Sequence, residues 1–430
     1  STIVSTFQSG RFEDGGASNA GWATSSNSGS TWTHGFLPGT TVFATPPGPY
    51  ARVSDPAVAF DADHNVWLIS TLALNSSVTG TAVIVNRSTN GGTTWTNPVT
   101  VTSASSGQSL DKDWIVCDDT STSPDYGHCY VEWDDNGHGN LLHMARSTDG
   151  GQTWTNSTVP SSTVIGGQPL VQPNGTVVVP IDNAFEGAVE SFVSTNGGSS
   201  YTGPSTISSI SSHTEAGDLR SGPLPTAEID GSGKVYVVWE DCRFESGCSA
   251  NDLVMSTSTN GTTWSAVTRI PIDAVGSGVD HFIPGLAVDK GTSGSSAHLG
   301  LAYYYYPVSN CSTSTCKLDV GFISSTNGGS SWSTATQVTG PMHLVWLPLT
   351  SQGYMVGDYI STSYSGGKAF PVIAVASSTG TNCTLGNITS CKEAMFTATG
   401  GLAIVGGSQT SHDVPVFTVP NSSTILSTAR

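Results

Sequence analysis

The sequence contains few charged residues, and positive charges are especially scarce. Of 430 residues, 14 are Lys or Arg and 32 are Asp or Glu, so the formal net charge is −18. A surface of this sign repels phosphate groups, which argues against nucleic acid or an anionic membrane as a partner. Apolar runs approaching the ~20 residues of a membrane-spanning helix are also missing. We therefore expect no membrane span.

Helical periodicity is missing as well, since no stretch repeats its apolar residues at a spacing of three to four. The 50 glycines and the many Ser and Thr residues are instead typical of short strands joined by tight turns. We expect an all-β chain in which residues 1–430 form one domain. The sequence opens directly on the strand-like run Ser1-Thr2-Ile3-Val4, so we expect a mature, already processed chain.

Eight cysteines fall into four pairs of near neighbours in the sequence. Their spacing lacks the CxxC pattern of zinc sites, and no histidines cluster beside them. Nearest-neighbour disulfides would each close one loop, which implies an oxidising, extracellular compartment. The expected pairs are Cys117 with Cys129, Cys242 with Cys248, Cys311 with Cys316, and Cys383 with Cys391.

Nine N-x-S/T sequons agree with a secreted or cell-surface protein. If the host glycosylates them, each acceptor asparagine must lie on the surface. The acceptors are Asn75, Asn86, Asn156, Asn174, Asn260, Asn310, Asn382, Asn387 and Asn421.

Six segments repeat the pattern S-x-[DN]-x-G-x-[ST]-[WY], one of them with a deletion. They are residues 25–32, 88–95, 147–154, 194–201, 258–264 and 325–332. Within each, an Asp or Asn side chain can accept hydrogen bonds from backbone N–H groups and fix a turn. Glycine takes the left-handed position, and the final aromatic ring can anchor the turn between sheets.

This pattern is the Asp-box, or BNR, repeat, and the chain resembles the Asp-box β-propellers of the sialidase superfamily. It is similar to their extracellular sialidase-like microbial members, many of which have no assigned activity. The resemblance implies a β-propeller directed at glycans. The repeats, 47 to 68 residues apart at their aromatic ends, predict seven blades, with six as the alternative. Residues 357–360 and 370–375 are expected to form inner strands of the last blade.

The first repeat is short, because the residues before its box suffice for two strands rather than three. Residues 414–419 alternate in a strand-like pattern and could supply the missing innermost strand, closing the ring. A strand from another copy of the chain could fill the same place and build a polymer.

In a propeller, the loops leading into the inner strands line an axial pocket. The sequence concentrates its charges at such positions, which makes them candidates for binding. Those expected near the pocket include Arg11, Glu13, Asp14, Arg52, Asp55, Asp111, Lys112, Asp113, Arg220, Glu240, Arg243, Asp280, Asp358 and Tyr359.

The resemblance implies specific roles for some of these residues. A sialidase clamps a carboxylate with three arginines, and Arg52, Arg220 and Arg243 are the candidates. Tyr359 would be the nucleophile, Glu240 its base and Asp113 the acid, while Lys112 and Asp280 would contact substrate. The alternative is that these charges pair with one another and cap strand ends. The sialidase FRIP-type segment is missing.

No cofactor or metal site is predicted. The acidic turns at residues 61–65 and 134–136 could hold structural Ca²⁺, but neither completes an EF-hand loop. Three functions remain open: a glycan-binding propeller with degenerate sialidase machinery, an active sialidase-type glycoside hydrolase, and a structural subunit that polymerises by strand exchange.

Overall fold

The computed structural model describes residues 1–378, 392–409 and 423–427, with the backbone alone for the last segment. Throughout these segments the regular structure is β-strand, apart from four single-turn 3₁₀ helices. The helices are Asn136–His138, Ser246–Cys248, Gly294–Ser296 and Leu344–Trp346. The all-β expectation is confirmed.

The first sheet has seven strands in two antiparallel groups, which one residue pair, Ala17 with Val53, joins. The first group is β1 (Ile3–Arg11), β2 (Ala17–Ser25) and β3 (Thr33–Phe36), and the second is β4 (Arg52–Asp61), β5 (Val66–Leu74), β6 (Gly80–Ser88) and β7 (Val99–Ser103).

Three further antiparallel sheets follow in chain order. They comprise β8 (Leu110–Cys117), β9 (Cys129–Asp135), β10 (Leu141–Ser147) and β11 (Thr155–Asn156); β12 (Val164–Ile165), β13 (Leu170–Val171), β14 (Val177–Asn183), β15 (Ala188–Ser194) and β16 (Thr202–Ser209); and β17 (Thr226–Ile229), β18 (Val235–Asp241), β19 (Asp252–Ser258) and β20 (Thr268–Arg269).

The last part of the chain forms a four-stranded sheet, a small hairpin and a five-stranded sheet. Their strands are β21 (Asp280–Val288), β22 (Leu299–Tyr306), β23 (Lys317–Ser325) and β24 (Thr336–His343); β25 (Leu349–Thr350) and β26 (Gly353–Tyr354); and β27 (Ser361–Ser365), β28 (Lys368–Ser377), β29 (Lys392–Ala398), β30 (Leu402–Ala403) and β31 (Ser423–Ser427).

Successive sheets meet through strands at their leading edges. β4 contacts β8, β8 contacts β13, and the series continues through β17 and β21 to β27. Repeated antiparallel sheets of about four strands, in contact through these strands, are consistent with a β-propeller. The core lies between the faces of adjacent sheets. β22 is covered on both faces, so all four tyrosines at 303–306 are buried.

The six repeated segments form the same turn. In each one, the first Ser Oγ accepts from a glycine N–H, and the Asp or Asn Oδ1 accepts from the N–H of the Ser or Thr before the aromatic residue. Gly329 shows why glycine is required. Its φ is 81°, and a Cβ there would lie 2.5 Å from the Met255 methyl group.

Three of the expected disulfides are formed, namely Cys117–Cys129, Cys242–Cys248 and Cys311–Cys316. Cys383 and Cys391 lie outside the described residues. The three bonds indicate an oxidising, extracellular environment. Among the described residues, no helix has the length and apolar character to cross a membrane.

One sequon expectation requires correction. Asn86 is fully buried on β6, where its Nδ2 donates to the carbonyl oxygens of Pro38 and Thr96, so it cannot carry a surface glycan. Five other acceptors are exposed: Asn75, Asn156, Asn174, Asn260 and Asn310. Asn382, Asn387 and Asn421 lie outside the described residues.

Two strand expectations near the end of the chain have different outcomes. Residues 357–360 form a loop before β27 instead of an inner strand. Residues 414–419, expected to close the ring, lie outside the described residues.

Candidate functional site

A cleft of about 220 Å³ opens where several sheets converge. Its walls come from the end of β1, the turn at 12–16, the leading parts of β4 and β8, the segment before β17, the β25–β26 hairpin and the loop before β27. Gln8, Ser54 and Ser109 add uncharged polar groups. The charged lining residues are Arg11, Glu13, Asp14, Asp55, Asp111, Lys112, Arg220 and Asp358.

β-Bulges direct two of these side chains, Asp55 and Lys112, toward the cleft. β4, β8 and β21 each contain a bulge in their pairing with the following strand. Each bulge holds a non-glycine residue in the left-handed region: Asp55 at φ 48°, Lys112 at φ 51° and Ile283 at φ 48°. Such backbone costs about 1–3 kcal/mol per residue and is concentrated at functional sites. In β4 and β8 the bulge turns a charged residue toward the cleft.

The Asp358 carboxylate pairs with two cations that line the cleft. Its Oδ2 accepts from Lys112 Nζ at 2.6 Å and from Arg220 Nη2 at 2.7 Å. Although burial opposes ionisation, the two cations lower the pKa of Asp358 to about 2. Asp358 is therefore ionised at every physiological pH.

Arg11 is also paired. Its guanidinium forms an ion pair with Glu393 on β29 and donates to the Met355 carbonyl oxygen at 3.1 Å. This contact joins the end of the first strand to the last sheet. The three cations that line the cleft are thus each held by a carboxylate.

Carboxyl groups without a cation of their own stand beside these pairs. Burial and the Asp55 charge raise the pKa of Asp111 to about 6. Burial, with the Asp55 and Asp111 charges nearby, raises the pKa of Asp113 well above its usual range. Asp113 is 1% exposed and does not line the cleft, so the proposed acid is present but shielded.

Tyr359 is partly exposed and does not line the cleft, but lines a second, smaller hollow together with Lys112 and Asp113. Its hydroxyl donates to Asp55 Oδ1 at 3.3 Å, and its ring packs at 5.1 Å from the Trp114 ring. Lys112 Nζ sits 5.4 Å above the same ring. Burial and the Asp55 and Asp113 charges raise the pKa of the Tyr359 hydroxyl well above its usual range, the reverse of what a tyrosine nucleophile needs.

The expected arginine clamp does not form, which is a correction. Of the three expected clamp arginines, only Arg220 lines the cleft. Arg52 pairs bidentately with Asp14 and lies 4.3 Å from the Phe12 ring centroid, beside the cleft. Arg243 pairs with Asp241 through two donors and with the Ser209 carbonyl oxygen, outside the cleft. Arg52 and Arg243 are thus paired with neighbouring carboxylates, in agreement with the alternative that these charges pair with one another.

Glu240 and Asp280 belong to a different cluster, so neither serves Tyr359 or the cleft. Glu240 is 1% exposed, and its pKa rises well above the usual range because of burial and the Glu215 and Asp280 charges. Asp280 accepts from the Asn251 N–H at 2.6 Å and lies 3.1 Å from His213 Nδ1. Asn251 Nδ2 donates to Glu215 Oε1 at 2.8 Å.

A third polar cluster has the residue types of a metal site. Oxygens of Asp252 and Asp273 and a ring nitrogen of His281 lie within 4.8 Å of one another. Arg269, however, bonds both carboxylates, at 2.7 Å and 2.6 Å, and compensates their charge. We interpret this cluster as a buried ion-pair network between β19 and β21.

Two carboxylates of the acidic turns considered for Ca²⁺ already accept hydrogen bonds from the protein. Asp61 accepts from the His64 N–H and contacts the His64 ring. Asp135 accepts from the Ser109 N–H and from Gln108 Nε2. Asp61 thus caps its own turn, whereas Asp135 bonds the segment before β8, and both carboxylate oxygens of Asp134 are buried without a hydrogen-bond partner.

Sequence reasoning missed parts of the site. Glu393 and the β25–β26 hairpin, which contributes Thr350, Ser351 and Gln352, were not anticipated. The hairpin is held by the turn at 12–16, because the Ser351 N–H donates to the Glu13 carbonyl oxygen at 2.9 Å. No local pattern marks residues that reach a site from sequence-distant segments.

No protein-family model matches this chain, and neither does any curated protein. Among solved structures, a Dyadobacter fermentans protein of unknown function is similar, with 15% identity, a TM-score of 0.49, and coverage of 75% of this chain and 91% of that one. A Hadza microbial sialidase has 16% identity and a TM-score of 0.47, covering 70% and 60%. A leech intramolecular trans-sialidase has 12% identity and a TM-score of 0.47, covering 70% and 63%.

These likenesses are weak, so the activities of those proteins do not transfer to this chain.

Proposed function

We propose that this chain is an extracellular Asp-box β-propeller that binds glycans in the cleft. The observation that carries the proposal is the cleft itself, where bulges in two leading strands turn Asp55 and Lys112 toward one polar hollow. Side chains that combine donors and acceptors suit the many hydroxyls of a sugar. The Phe12 ring, also in the lining, adds apolar surface for a sugar ring, while the Arg52 guanidinium covers one of its faces.

The proposal includes seven blades. The strand groups β1–β3, β4–β7, β8–β11, β12–β16, β17–β20, β21–β24 and β27–β31 would each form one blade. The shared hydrogen bonds of the six repeated turns support their identity as Asp-boxes. The three disulfides support secretion or display on the cell surface.

The sialidase machinery is degenerate in this proposal. A carboxylate clamp needs guanidinium groups free to meet the substrate. Arg52 and Arg243 are bound elsewhere, and Tyr359 lies outside the lining of the cleft. An active sialidase-type hydrolase is therefore the weaker alternative, and a panel of fluorogenic glycosides tests it directly. If the protein releases the fluorophore and Tyr359→Phe abolishes that release, the active sialidase-type hydrolase becomes the favoured function.

Glycan binding is testable by calorimetry with a panel of neutral, amino and acidic oligosaccharides. We expect at least one class to bind, and Asp55→Asn to weaken that binding about tenfold through loss of a charge-assisted hydrogen bond. Glu186→Gln, an exposed substitution outside the cleft, is the matched control and leaves affinity unchanged. If no oligosaccharide binds at millimolar concentration, the proposal is wrong.

A second candidate function, a strand-exchange homopolymer, rests on the edge of β1. In the second group the repeated turn connects the third and fourth strands, β6 and β7, whereas in the first group it connects β2 and β3. β1 therefore corresponds to a second strand, and no described strand takes the innermost place beside it. Such an edge can accept a strand from a neighbouring copy.

The polymer is tested by light scattering and electron microscopy of the full chain and of a chain lacking residues 410–430. Because this deletion also removes β31, circular dichroism must show that the shortened chain stays folded. A ladder of assemblies that this deletion abolishes would support strand exchange. A full chain that stays monomeric at high concentration would rule out the polymer.

A further inference from the structure

The cleft has an imbalance of charge. Its lining carries five carboxylates, on Glu13, Asp14, Asp55, Asp111 and Asp358, against three cations. The partners just behind the wall do not correct this, because Arg52 offsets Asp14 while Glu393 offsets Arg11. The cleft is therefore anionic, within a chain that is itself strongly anionic.

The cations are already engaged, so a ligand carboxylate would have to break an existing pair. Lys112 and Arg220 share Asp358, and the side chain of Lys112 is only 8% exposed. Freeing either cation would leave Asp358 buried with a partner missing, which is costly.

The carboxylates of Asp55 and Asp111, in contrast, can accept further hydrogen bonds. Asp55 is 7% exposed and accepts one hydrogen bond, from Tyr359. Asp111 accepts from the Lys112 backbone N–H through Oδ1. An ionised carboxylate has about four acceptor sites, so both residues can take more donors.

We propose that the cleft binds a sugar that carries an ammonium group, as in an N-deacetylated amino sugar, with the ammonium between Asp55 and Asp111. This inference rests on the proposed function and names its ligand class. An ammonium group brings three donors and one positive charge, which matches the leftover acceptors. The sugar hydroxyls meet Gln8, Ser54 and Ser109.

The size of the cleft limits how much of the ligand it encloses. At about 220 Å³ it is below the ~300 Å³ lower bound for drug-sized pockets. We therefore expect one terminal sugar ring to be held, with the rest of an oligosaccharide extending into solvent.

The binding depends on pH in a stated direction. Asp111 faces Asp55, Lys112, Asp358 and Asp134, and its pKa lies near 6. Above that pH Asp111 is charged and attracts the ammonium, whereas below it Asp111 is protonated and the attraction weakens. Because the sugar amine itself gains its positive charge as the pH drops through neutrality, affinity is expected to peak near pH 6 and to fall toward pH 5.

The experiment compares two oligosaccharides of equal length, chitosan oligomers and their fully N-acetylated chitin counterparts, by calorimetry on the full chain at pH 6. We expect the chitosan oligomer to bind about tenfold tighter, as a charge-assisted hydrogen bond implies, and this advantage to shrink in high salt. Asp111→Asn reduces the advantage and flattens the pH dependence, while Glu186→Gln preserves both.

The outcomes separate this inference from the proposed function. If the chitin oligomer, a neutral glycan or a sialylated glycan binds as tightly as chitosan or tighter, the ammonium preference is refuted while glycan binding stands. If nothing binds, both fail. Because the comparison of ligands uses the unmutated protein, it is decisive even if Asp111→Asn does not fold.

Discussion

At the scale of single residues, Asp358 shows how a buried charge is tolerated. It bridges two cations from distant parts of the chain, and its pKa of about 2 records how strongly they favour its ionised form. Because this pKa is lower than in the unfolded chain, Asp358 stabilises the fold above about pH 4. The contribution is lost as the pH falls through 2.

Asp358→Asn should lower the free energy of unfolding by about 3–5 kcal/mol at pH 7, because it leaves Lys112 buried without its carboxylate. Urea denaturation measures the change. The double variant Asp358→Asn with Lys112→Met should recover part of the loss by removing the stranded cation. A loss below 1 kcal/mol in the single variant would contradict this account.

Glu215 should make the protein less stable in mild base. Burial and the Asp280 charge raise its pKa to about 8, from an ordinary value of 4.5. Its contribution to stability is fully present below pH 4.5 and is lost as the pH rises through 8, by about 1.4 kcal/mol per pH unit.

Glu215→Gln keeps the acceptor for Asn251 and removes the titration. In thermal melts between pH 5 and pH 9, the melting temperature of the variant should increase relative to that of the unmodified protein as the pH rises. Parallel curves across that range would show that Glu215 titrates normally.

All eight charged residues of the cleft lining were among those expected near a pocket, although Asp358 lies in a loop where an inner strand was expected. Their roles could not be predicted. Whether an arginine is free or captured depends on a neighbouring carboxylate within about 3 Å, as Arg243 shows beside Asp241. Sequence spacing does not determine such distances.

At the scale of elements, the repeated turn is a small hydrogen-bonded unit that tolerates exchange of Asp and Asn. Asn327 Oδ1 accepts from the Ser331 N–H at 2.9 Å, and Asp149 makes the equivalent bond to Thr153 at 2.9 Å. The same geometry therefore serves both residue types, as the sequence pattern predicted.

Asn327→Ala should cost about 1–2 kcal/mol, because it leaves the turn without its acceptor, much as loss of a helix cap does. Asn327→Asp is the matched control and should cost little, since Asp occupies this position at 149. Chemical denaturation of both variants measures the difference. Equal losses would show that the side-chain bonds do not stabilise the turn.

Strand positions could be predicted from the alternation of apolar residues and from turn residues, but the loop at 357–360 could not. It reads as a strand by composition, yet Asp358 and Tyr359 are committed to contacts with Lys112, Arg220 and Asp55. Tertiary contacts have overridden local propensity there.

At the scale of the whole molecule, the net charge of −18 acts on every part of the fold. Mutual repulsion of like charges favours expanded states and keeps molecules apart. Added salt screens this repulsion over about 10 Å at 0.1 M.

The melting temperature should therefore rise by a few degrees when NaCl is increased from about 0.01 M to 0.5 M at pH 7. Differential scanning calorimetry measures it. A melting temperature that falls with salt would mean that the specific ion pairs, such as Arg11 with Glu393, outweigh the general repulsion.

The bulges in β4, β8 and β21 have a consequence for how this architecture can diversify. Each releases one residue from the regular ladder while the flanking strand stays paired. An Asp, a Lys and an Ile already occupy these three places without altering the surrounding sheets. Substitutions at these three bulge positions could therefore change what the protein recognises, one side chain at a time, while the pairing of the surrounding sheets is kept.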